Sequence, residues 1–467
     1  MNSLSGTTPS IFVCISLVTV ATLLPAQDWP NWRGPAHNGS SSCEGLPETF
    51  SKTENVRWSV GLPGPGASTP IVFGTHIFLS SVDAERSRLV AMCVDRKAGK
   101  IVWQKDAGSG YQPGGTGKRT GRGFRRSSYA SPSPVSDGKT VVFFFGNGDL
   151  AAYDFKGKKL WSRNVQKDYG DFSFQWTFSA SPTFWEGKVF LPVLQRDTKT
   201  HKLGGLPASK GQDPADAGKQ GIESFILALD PQTGKTLYRH IRPSDARKES
   251  LESYTTMIPH VGEGGRKELL LAGGDVITGH DPATGKELWR WGTWNEGNRE
   301  VWWRLVPSVV TGDGVALVCS PKRQPVYAVK LAGNEGELGD AGLLWKSGGR
   351  PNKLSSDVPT PAFDGKHFFV LSDVREAISK IVPKTGKIEW STSLPKIKWR
   401  SSPTVADGRV YLLSHHGDVV VLDAVSGKIV HRTKMGNEDD DQIRSSVVAA
   451  HSNLFIRTND RLYCLGN

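Results

Sequence analysis

One short phrase recurs along this 467-residue chain: an apolar run that ends in Asp, a turn of the type Thr-Gly-Lys, and a bulky aromatic residue. The clearest copies span residues 228–238 and 280–289. Weaker copies begin at Val94, Tyr153, Ile381 and Leu422. A phrase repeated in this way indicates one supersecondary unit used many times, so we predict that the chain folds as an array of similar units.

Each copy of the phrase is predicted to be a β-hairpin. The run before the Asp, such as 225–229, is too short for a helix and rich in strand-forming residues. The Asp can accept hydrogen bonds from the turn amides, and the Gly allows positive φ. A second marker, Ser-Pro or Thr-Pro followed by Gly, predicts two more strands upstream, which gives the four-stranded blade of a β-propeller. These markers are Thr69-Pro70, Ser131-Pro132, Ser181-Pro182, Thr360-Pro361 and Ser402-Pro403, with Pro307-Ser308 as a degenerate copy.

Each unit contains one large aromatic or His side chain in its predicted outer strand, so the number of these side chains gives the number of blades. We expect these side chains to pack neighbouring blades together. The markers are Trp58, Trp103, Trp161, Tyr238, Trp289, Trp345, Trp390 and His431. The first marker has no strands before it, whereas the last unit, 443–465, lacks an outer strand. We therefore predict an all-β, eight-bladed propeller of four-stranded antiparallel blades, in which the N-terminal strand completes the last blade. Six or seven blades are the alternative, if the units around 266–272 or 315–329 are not blades.

These repeats resemble those of the quinoprotein-type (PQQ-like repeat) β-propellers with their tryptophan-docking motif, over residues 55–467. The segment from Asp28 to Pro35 also resembles the start of exported bacterial members. The resemblance implies either a dehydrogenase that binds pyrroloquinoline quinone (PQQ) with calcium, or a non-catalytic scaffold similar to the outer-membrane-assembly propeller. Fold alone does not choose between them. The dehydrogenases carry adjacent cysteines at the cofactor, and this sequence has none, which argues against quinone catalysis.

The first 26 residues contain no Lys, Arg, Asp or Glu, and an apolar stretch from Ile11 to Leu24 precedes Pro25-Ala26-Gln27. This pattern predicts a signal peptide over 1–26, a periplasmic or secreted protein, and no transmembrane segment after cleavage; a membrane anchor is the alternative. The remaining chain is predicted to consist of an extended strap over 27–54 and the propeller over 55–467. Two polar segments, 108–126 and 196–224, are predicted to be insertions between strands.

A formal net charge of +12 favours anionic partners through long-range attraction, while a surface that only maintains solubility is the alternative. No feature predicts a specific nucleic-acid partner. Four cysteines follow the leader, and we predict buried free thiols rather than disulfides. They are Cys43, Cys93, Cys319 and Cys464.

The loops that precede the innermost strands, here called inner loops, converge on one rim of the channel in a propeller. Several inner loops of this chain carry an aromatic residue, an Arg, or both. Arg pairs with carboxylate or phosphate, and indole faces stack on flat rings or sugars. We predict a ligand site at this rim, whereas bracing of neighbouring blades is the alternative. The predicted site residues are Arg126, Trp176, Tyr254, Trp303, Arg304, Asp357, Trp399, Arg400 and Arg444.

The function predicted from these features is an exported, non-catalytic propeller that binds a protein partner or an anionic glycan or small molecule. The alternative is a PQQ-dependent dehydrogenase that uses PQQ with calcium. No catalytic residue or metal site is predicted. His415 and His416 form a poor joint metal site, because adjacent residues of a strand point to opposite faces.

Overall fold

The computed structural model describes residues 28–109, 128–198, 222–292, 294–298, 300–348, 354–438 and 440–467. Within these residues, eight antiparallel sheets of four strands are arranged as blades, and one blade carries a fifth short strand. In several pairs of neighbouring blades the first strands contact each other, which places the first strands around the channel. The predicted all-β, eight-bladed propeller is confirmed.

The first four blades follow the chain order from the innermost to the outermost strand. Blade 8 takes β1 (Val56–Gly61); blade 1 contains β2 (Ile71–Phe73), β3 (His76–Asp83), β4 (Arg88–Asp95) and β5 (Ile101–Ser109); blade 2 contains β6 (Val135–Ser136), β7 (Thr140–Phe144), β8 (Asp149–Asp154) and β9 (Lys159–Asn164), followed by the helix α1 (Val165–Tyr169); blade 3 contains β10 (Thr183–Trp185), β11 (Lys188–Val193), β12 (Phe225–Leu229) and β13 (Thr236–Ile241); blade 4 contains β14 (Ile258–Val261), β15 (Lys267–Gly273), β16 (Val276–His280) and β17 (Glu287–Trp291).

The remaining blades repeat the pattern, with one short addition. Blade 5 contains β18 (Val310–Gly312), β19 (Val315–Cys319), β20 (Val326–Lys330) and β22 (Leu343–Lys346), and β21 (Gly336–Glu337) pairs in parallel with β17 of blade 4; blade 6 contains β23 (Ala362–Phe363), β24 (Phe368–Ser372), β25 (Ala377–Ile381) and β26 (Ile388–Ser393); blade 7 contains β27 (Thr404–Ala406), β28 (Arg409–Leu413), β29 (Asp418–Asp423) and β30 (Ile429–Lys434); blade 8 contains β31 (Val448–Ala450), β32 (Asn453–Arg457), β33 (Arg461–Leu465) and β1. Short 3₁₀ helices span Lys248–Leu251, Glu263–Gly265, Glu296–Asn298 and Gly339–Gly342.

The N-terminal strand closes the ring. Strand β1 pairs antiparallel with β33, so that Trp58 lies opposite Cys464 and Val60 lies opposite Leu462. The two weaker units, around 266–272 and 315–329, form β15 and the β19–β20 pair. The predicted closure is therefore confirmed, and the six- and seven-bladed alternatives are wrong.

A ring of hydrogen bonds joins the blades at the channel. In seven of the blade-to-blade junctions, a backbone N–H just before an inner strand donates to a Ser or Thr hydroxyl at the same position of the next blade, over 2.9–3.0 Å. The Ser and Thr hydroxyls of this hydrogen-bond ring are buried, so each needs a hydrogen-bond partner. In blade 2 the residue that belongs to the hydrogen-bond ring is Ser133, which lies two residues after the sequence marker Ser131. The donor–acceptor pairs are Thr69–Ser133, Ser133–Ser181, Ser181–Thr256, Thr256–Ser308, Ser308–Thr360, Thr360–Ser402 and Ser446–Thr69.

The large rings of the outer strands join the blades at the periphery. Six of them donate an N–H or O–H to a backbone carbonyl in the next blade, over 2.7–3.3 Å. Each ring covers the Gly of the next hairpin so closely that a Cβ there would lie 2.4–2.7 Å from it. The ring–glycine pairs are Trp58–Gly99, Trp103–Gly157, Trp161–Gly234, Tyr238–Gly285, Trp345–Gly386 and Trp390–Gly427.

Two of the eight rings find other partners. Trp289 donates to Glu268 of its own blade at 2.7 Å, because blade 5 has a long connection instead of the Thr-Gly-Lys turn. His431 Nε2 lies 2.8 Å from the carbonyl oxygen of Phe50, because blade 8 has no hairpin before its last strand. The strap residue Phe50 thus occupies the place that a hairpin occupies elsewhere.

The strap residues 28–54 cross the end of the channel opposite the inner loops. The strap carbonyls of Pro30 and Asn38 accept hydrogen bonds from Ser136 and Phe363, the last residues of two inner strands. From the strap, the buried Arg33 side chain donates to carbonyls of blades 6 and 7 at 2.9 and 3.1 Å. The channel is therefore filled at this end.

The four predicted thiols are buried and unpaired in the described residues, as expected from the sequence. Burial raises the pKa of Cys93 and Cys464 to about 12, so both stay protonated at neutral pH. They act as small apolar groups in the sheets.

Replacement of Gly234 by Ala should destabilise the propeller more than the same change at Gly187. The two glycines have similar backbone conformations, with φ of +69° at Gly234 and +71° at Gly187. Both variants lose about 1 kcal/mol because L-residues disfavour positive φ. Only the Cβ at Gly234 collides with Trp161, at 2.6 Å, which should add about 1–3 kcal/mol. Denaturant midpoints measure the difference, and equal losses would contradict the ring–glycine interpretation.

Asp275 is a buried carboxyl group in the β15–β16 turn. One oxygen accepts from the Asn295 amide at 2.5 Å, and the Trp294 side chain also lies within hydrogen-bonding reach of the carboxyl group. Burial raises the pKa of Asp275 to about 7. Between the ordinary carboxyl range and about pH 7, the folded chain thus holds a proton that the unfolded chain has released.

This difference predicts that ionisation of Asp275 lowers stability as the pH rises from about 4 to 7. Asp275→Asn cannot ionise, so its stability relative to the unmodified chain should increase across this pH range. Urea unfolding of both proteins at several pH values measures the difference. A difference that stays constant with pH would show that Asp275 is ionised in the folded chain throughout.

Candidate functional site

The inner loops surround a cavity of about 160 Å³ at the mouth of the channel. Seven of the eight blades contribute to its wall, all except blade 1. The wall residues are Ser131, Trp176, Thr177, Ser179, Tyr254, Arg304, Val306, Val358, Lys398, Arg400, His415, Gln442 and Arg444.

The hydrogen-bond ring sets which residues face the cavity. In extended backbone, alternate residues point the same way, so residues two and four positions before a ring member form the wall. Trp176 and His415 are the two wall residues outside this pattern. Two positions before the ring lie Ser131, Ser179, Tyr254, Val306, Val358, Arg400 and Arg444; four positions before it lie Thr177, Arg304, Lys398 and Gln442.

The wall is strongly cationic on the side of blades 5, 7 and 8. Arg304, Lys398, Arg400 and Arg444 line the cavity, and none of the Asp or Glu side chains that the structure describes does. The carboxylates lie behind the arginines. Arg304 contacts Asp357 at 3.2 Å.

Arg400 is held by the same acidic layer. It contacts the buried Asp373 at 2.8 Å and Asp357 at 3.5 Å. Because the carboxylates fix the guanidinium groups from behind, the positive charge is presented to the cavity.

These carboxyl groups respond differently to burial. Burial alone would raise the pKa of Asp357, but Arg304 and the backbone N–H of Lys322, at 3.0 Å, outweigh it and hold the pKa below its ordinary value. Burial dominates at Asp373 and raises its pKa to about 6, although Arg400 opposes the shift. Asp357 therefore stays ionised to a lower pH than Asp373 does.

The blade 3 and blade 4 side of the wall is aromatic and braced by a buried carboxyl group. Tyr254 donates its O–H to Glu252 at 2.8 Å and accepts the backbone N–H of Trp176 at 3.1 Å. Glu252 is fully buried and also pairs with Arg196. Burial raises the pKa of Glu252 to about 7, although Arg196 lowers it. This network fixes Trp176 and Tyr254 at the cavity.

His415 enters the wall from the β28–β29 turn. Its backbone is held by Lys398 O and Ile443 N at 2.9 and 3.0 Å, which places it between the inner loops of blades 7 and 8. His415 is 3 % exposed, and neither of its ring nitrogens has a hydrogen-bond partner among the described residues. Burial and the nearby cations Arg444, Arg400 and Lys398 lower the pKa of His415 to about 2, so the imidazole is neutral.

The structure brings five of the predicted site residues to this one cavity: Trp176, Tyr254, Arg304, Arg400 and Arg444. Asp357 lies behind them as an ion-pair partner. Arg126 lies outside the described residues, as does most of the predicted insertion 108–126.

Two predicted aromatic residues do not reach the cavity. Trp399 is fully buried in the core of blades 6 and 7, where its Nε1–H donates to Pro395 O at 3.0 Å. Trp303 packs against the core of blades 4 and 5. Each is the neighbour of a wall residue, and adjacent residues of an extended segment point to opposite sides. This alternation corrects the prediction that Trp303 and Trp399 line the site, since neither side chain reaches the cavity.

Sequence reasoning missed Arg196, Glu252 and His415. Arg196 was assigned to the surface insertion 196–224, whereas residues 196–198 are buried and 199–221 lie outside the described residues. Glu252 lies four residues before Thr256, the residue of blade 4 in the hydrogen-bond ring, and this spacing could have predicted its place near the cavity. His415 had no such signal, because it comes from a middle hairpin.

The wall does not fit a calcium ion. Calcium takes oxygen ligands, chiefly carboxylates, and here four cationic side chains and no carboxylate face the cavity. Elsewhere in the described residues, no group of three His, Cys, Asp or Glu side chains is arranged to hold a metal ion. The charge suits an anion instead.

No helix in the described part of the chain is long and apolar enough to cross a membrane. None of the curated protein sequences matches the chain at a significant level.

Solved structures with the same fold include both kinds of protein that the sequence resembles. A europium-containing methanol dehydrogenase is 12% identical with a TM-score of 0.65, covering 94% of this chain and 98% of that one. BamB from Moraxella catarrhalis is 15% identical with a TM-score of 0.57, covering 88% and 99%. The quinohemoprotein alcohol dehydrogenase from Comamonas testosteroni is 13% identical with a TM-score of 0.61, covering 94% and 80%. At these identities the likeness shows the fold alone.

The family model described as outer membrane protein assembly factor BamB matches residues 50–196 and 274–464, well over half of the sequence. The matched residues contain the Thr-Gly-Lys hairpins of most blades and both strands that close the ring. The chain therefore belongs to this family of PQQ-repeat β-propellers.

Proposed function

We propose that this protein is an exported, non-catalytic β-propeller that binds an anionic ligand, or an acidic segment of a protein partner, in the cavity at the channel mouth. The observation that carries the proposal is the wall itself: four cationic side chains from three blades, with no carboxylate among them. Guanidinium groups recognise carboxylate, sulfate and phosphate through paired hydrogen bonds. Arg304 and Arg400 are already oriented by ion pairs, which reduces the entropy lost on binding.

Export and a protein partner are supported by the relatives and the leader. The family is described as an outer membrane protein assembly factor, and BamB shares this fold. The uncharged leader before Ala26 has the pattern of a signal peptide. A net charge of +12 would steer acidic partners toward the surface.

The double variant Lys398→Gln/Arg444→Gln should bind acidic polymers about tenfold more weakly than the unmodified chain, because two charge-assisted contacts are lost. Dextran sulfate and polyglutamate serve as probes, one for a glycan and one for a peptide. Affinity is measured by fluorescence anisotropy of the labelled polymer at fixed salt, since surface electrostatics depend on ionic strength.

The control variant Lys97→Gln/Lys286→Gln removes the same charge from two exposed hairpin turns. It should bind the polymers nearly as tightly as the unmodified chain. Equal losses in the two double variants would mean that net charge alone drives binding, and the cavity would then not be the site.

The alternative function is a PQQ-dependent dehydrogenase, which the likeness to two dehydrogenase structures favours. PQQ is a flat polycarboxylate, so its charge suits the wall even though calcium does not. We expect no dye-linked oxidation of alcohols after PQQ and calcium are added to the purified protein. Sustained dye reduction that requires both additions would overturn the non-catalytic proposal.

A further inference from the structure

We infer that the cavity recognises a single sugar-acid ring, a hexuronate, either free or at the end of a glycan. This inference rests on the proposed anion-binding function and narrows it to one chemical class. Three properties of the wall support it: its size, the separation of its charged and hydroxyl sides, and the unpartnered imidazole of His415.

The size of the cavity limits the ligand to about one ring. Its volume is about 160 Å³. A protein cavity of about 150 Å³ holds one benzene molecule, so a single six-membered ring fits here. The opening of the channel mouth leaves a path for the rest of a glycan chain.

The wall places charge and hydroxyl groups on different blades. Lys398, Arg400 and Arg444 come from blades 7 and 8, whereas Ser131 and Ser179 come from blades 2 and 3. A ligand that satisfies both sides needs a carboxylate at one end and hydroxyl groups at the other. A hexuronate has this arrangement.

The aromatic side of the wall suits the apolar face of a pyranose. Trp176 comes from blade 3, like Ser179, and Tyr254 comes from blade 4, next to Arg304 of blade 5. Trp176 and Tyr254 are both held by the buried Glu252 network described above, so they form a fixed surface. Sugar rings stack on such surfaces through their C–H groups.

His415 distinguishes a hydroxylated ligand from a simple anion. A neutral imidazole offers one N–H donor and one acceptor nitrogen, and both are buried without partners. A buried unpaired polar group is unfavourable, so the ligand is expected to supply partners. A fully ionised sulfate can accept but cannot donate to the acceptor nitrogen. A sugar hydroxyl can do both.

Isothermal titration calorimetry of the purified chain tests the ligand class with four probes: D-galacturonate, its methyl ester, D-galactose and sulfate. We expect D-galacturonate to bind at least tenfold more tightly than each of the others. The ester and D-galactose lack the charge, and sulfate lacks the hydroxyl groups. An α-linked galacturonate trimer then distinguishes a free sugar from a glycan end, since tighter binding of the trimer favours the glycan.

Variants of adjacent histidines test the role of His415. His415→Phe keeps a ring but removes both nitrogens, and should weaken D-galacturonate binding about tenfold. It should weaken sulfate binding less, because sulfate can use only the donor nitrogen. His415→Gln restores one donor and one acceptor, and should recover part of the affinity. His416→Phe is the matched control and should bind normally, because His416 is exposed and its ring contacts Asp440 O at 3.0 Å outside the cavity.

The outcomes separate this inference from the proposed function. If His415→Phe binds D-galacturonate as tightly as the unmodified chain, or if the ester or D-galactose binds equally well, the sugar-acid inference is wrong. If the acidic polymers bind through Lys398 and Arg444 but D-galacturonate does not bind, the proposed function stands and the inference fails. If His415→Phe does not fold, as judged by circular dichroism, the result of His415→Gln with the four probes decides in the same way.

Discussion

The hydrogen-bond ring around the channel is the constraint on which the rest of the architecture depends. Each junction satisfies a buried N–H of one blade with a hydroxyl of the next, as between Ser181 and Thr256 at 3.0 Å. The junction between Ser446 and Thr69 joins the closing blade, which contains β1 and β33, to blade 1. Because extended backbone alternates, the same ring fixes the direction of every residue shortly before it. The cavity wall is a consequence of this register.

The periphery and the strap complete what the ring begins. Outer-strand tryptophans such as Trp161 cover a glycine of the next hairpin. They also donate a hydrogen bond to a backbone carbonyl of that hairpin, which holds the two blades together. Where the closing blade lacks a hairpin, Phe50 of the strap takes its place beside His431. The strap packs Arg33 against one end of the channel, and the cavity lies at the other end, among the inner loops. One face of the propeller is thus structural, and the other carries the site.

The chemistry of the site depends on two layers of charge: cationic side chains face the cavity, and carboxylates lie behind them. Asp357 and Asp373 lie behind Arg304 and Arg400, so the wall is cationic although acidic groups are close by. Burial, together with the nearby cations Arg444, Arg400 and Lys398, lowers the pKa of His415 and keeps it neutral. Dehydrogenases and BamB share this fold at 12–15% identity, so the fold alone does not fix the chemistry of the site. In this chain the wall suits an anion and does not suit a cation.

The architecture could be predicted from the sequence. The repeated hairpin phrase predicts the blade, the eight large side chains predict the number of blades, and the incomplete first and last units predict the closure. The sequence also predicts that Arg304, Arg400 and Arg444 share one rim, because inner loops converge in any propeller. Which neighbouring residues face the cavity depends on contacts between blades. Trp399 stands between two wall residues yet lies in the core, since register depends on the ring partner Ser402. His415 reaches the wall from a middle hairpin through contacts between two blades, which no local pattern encodes.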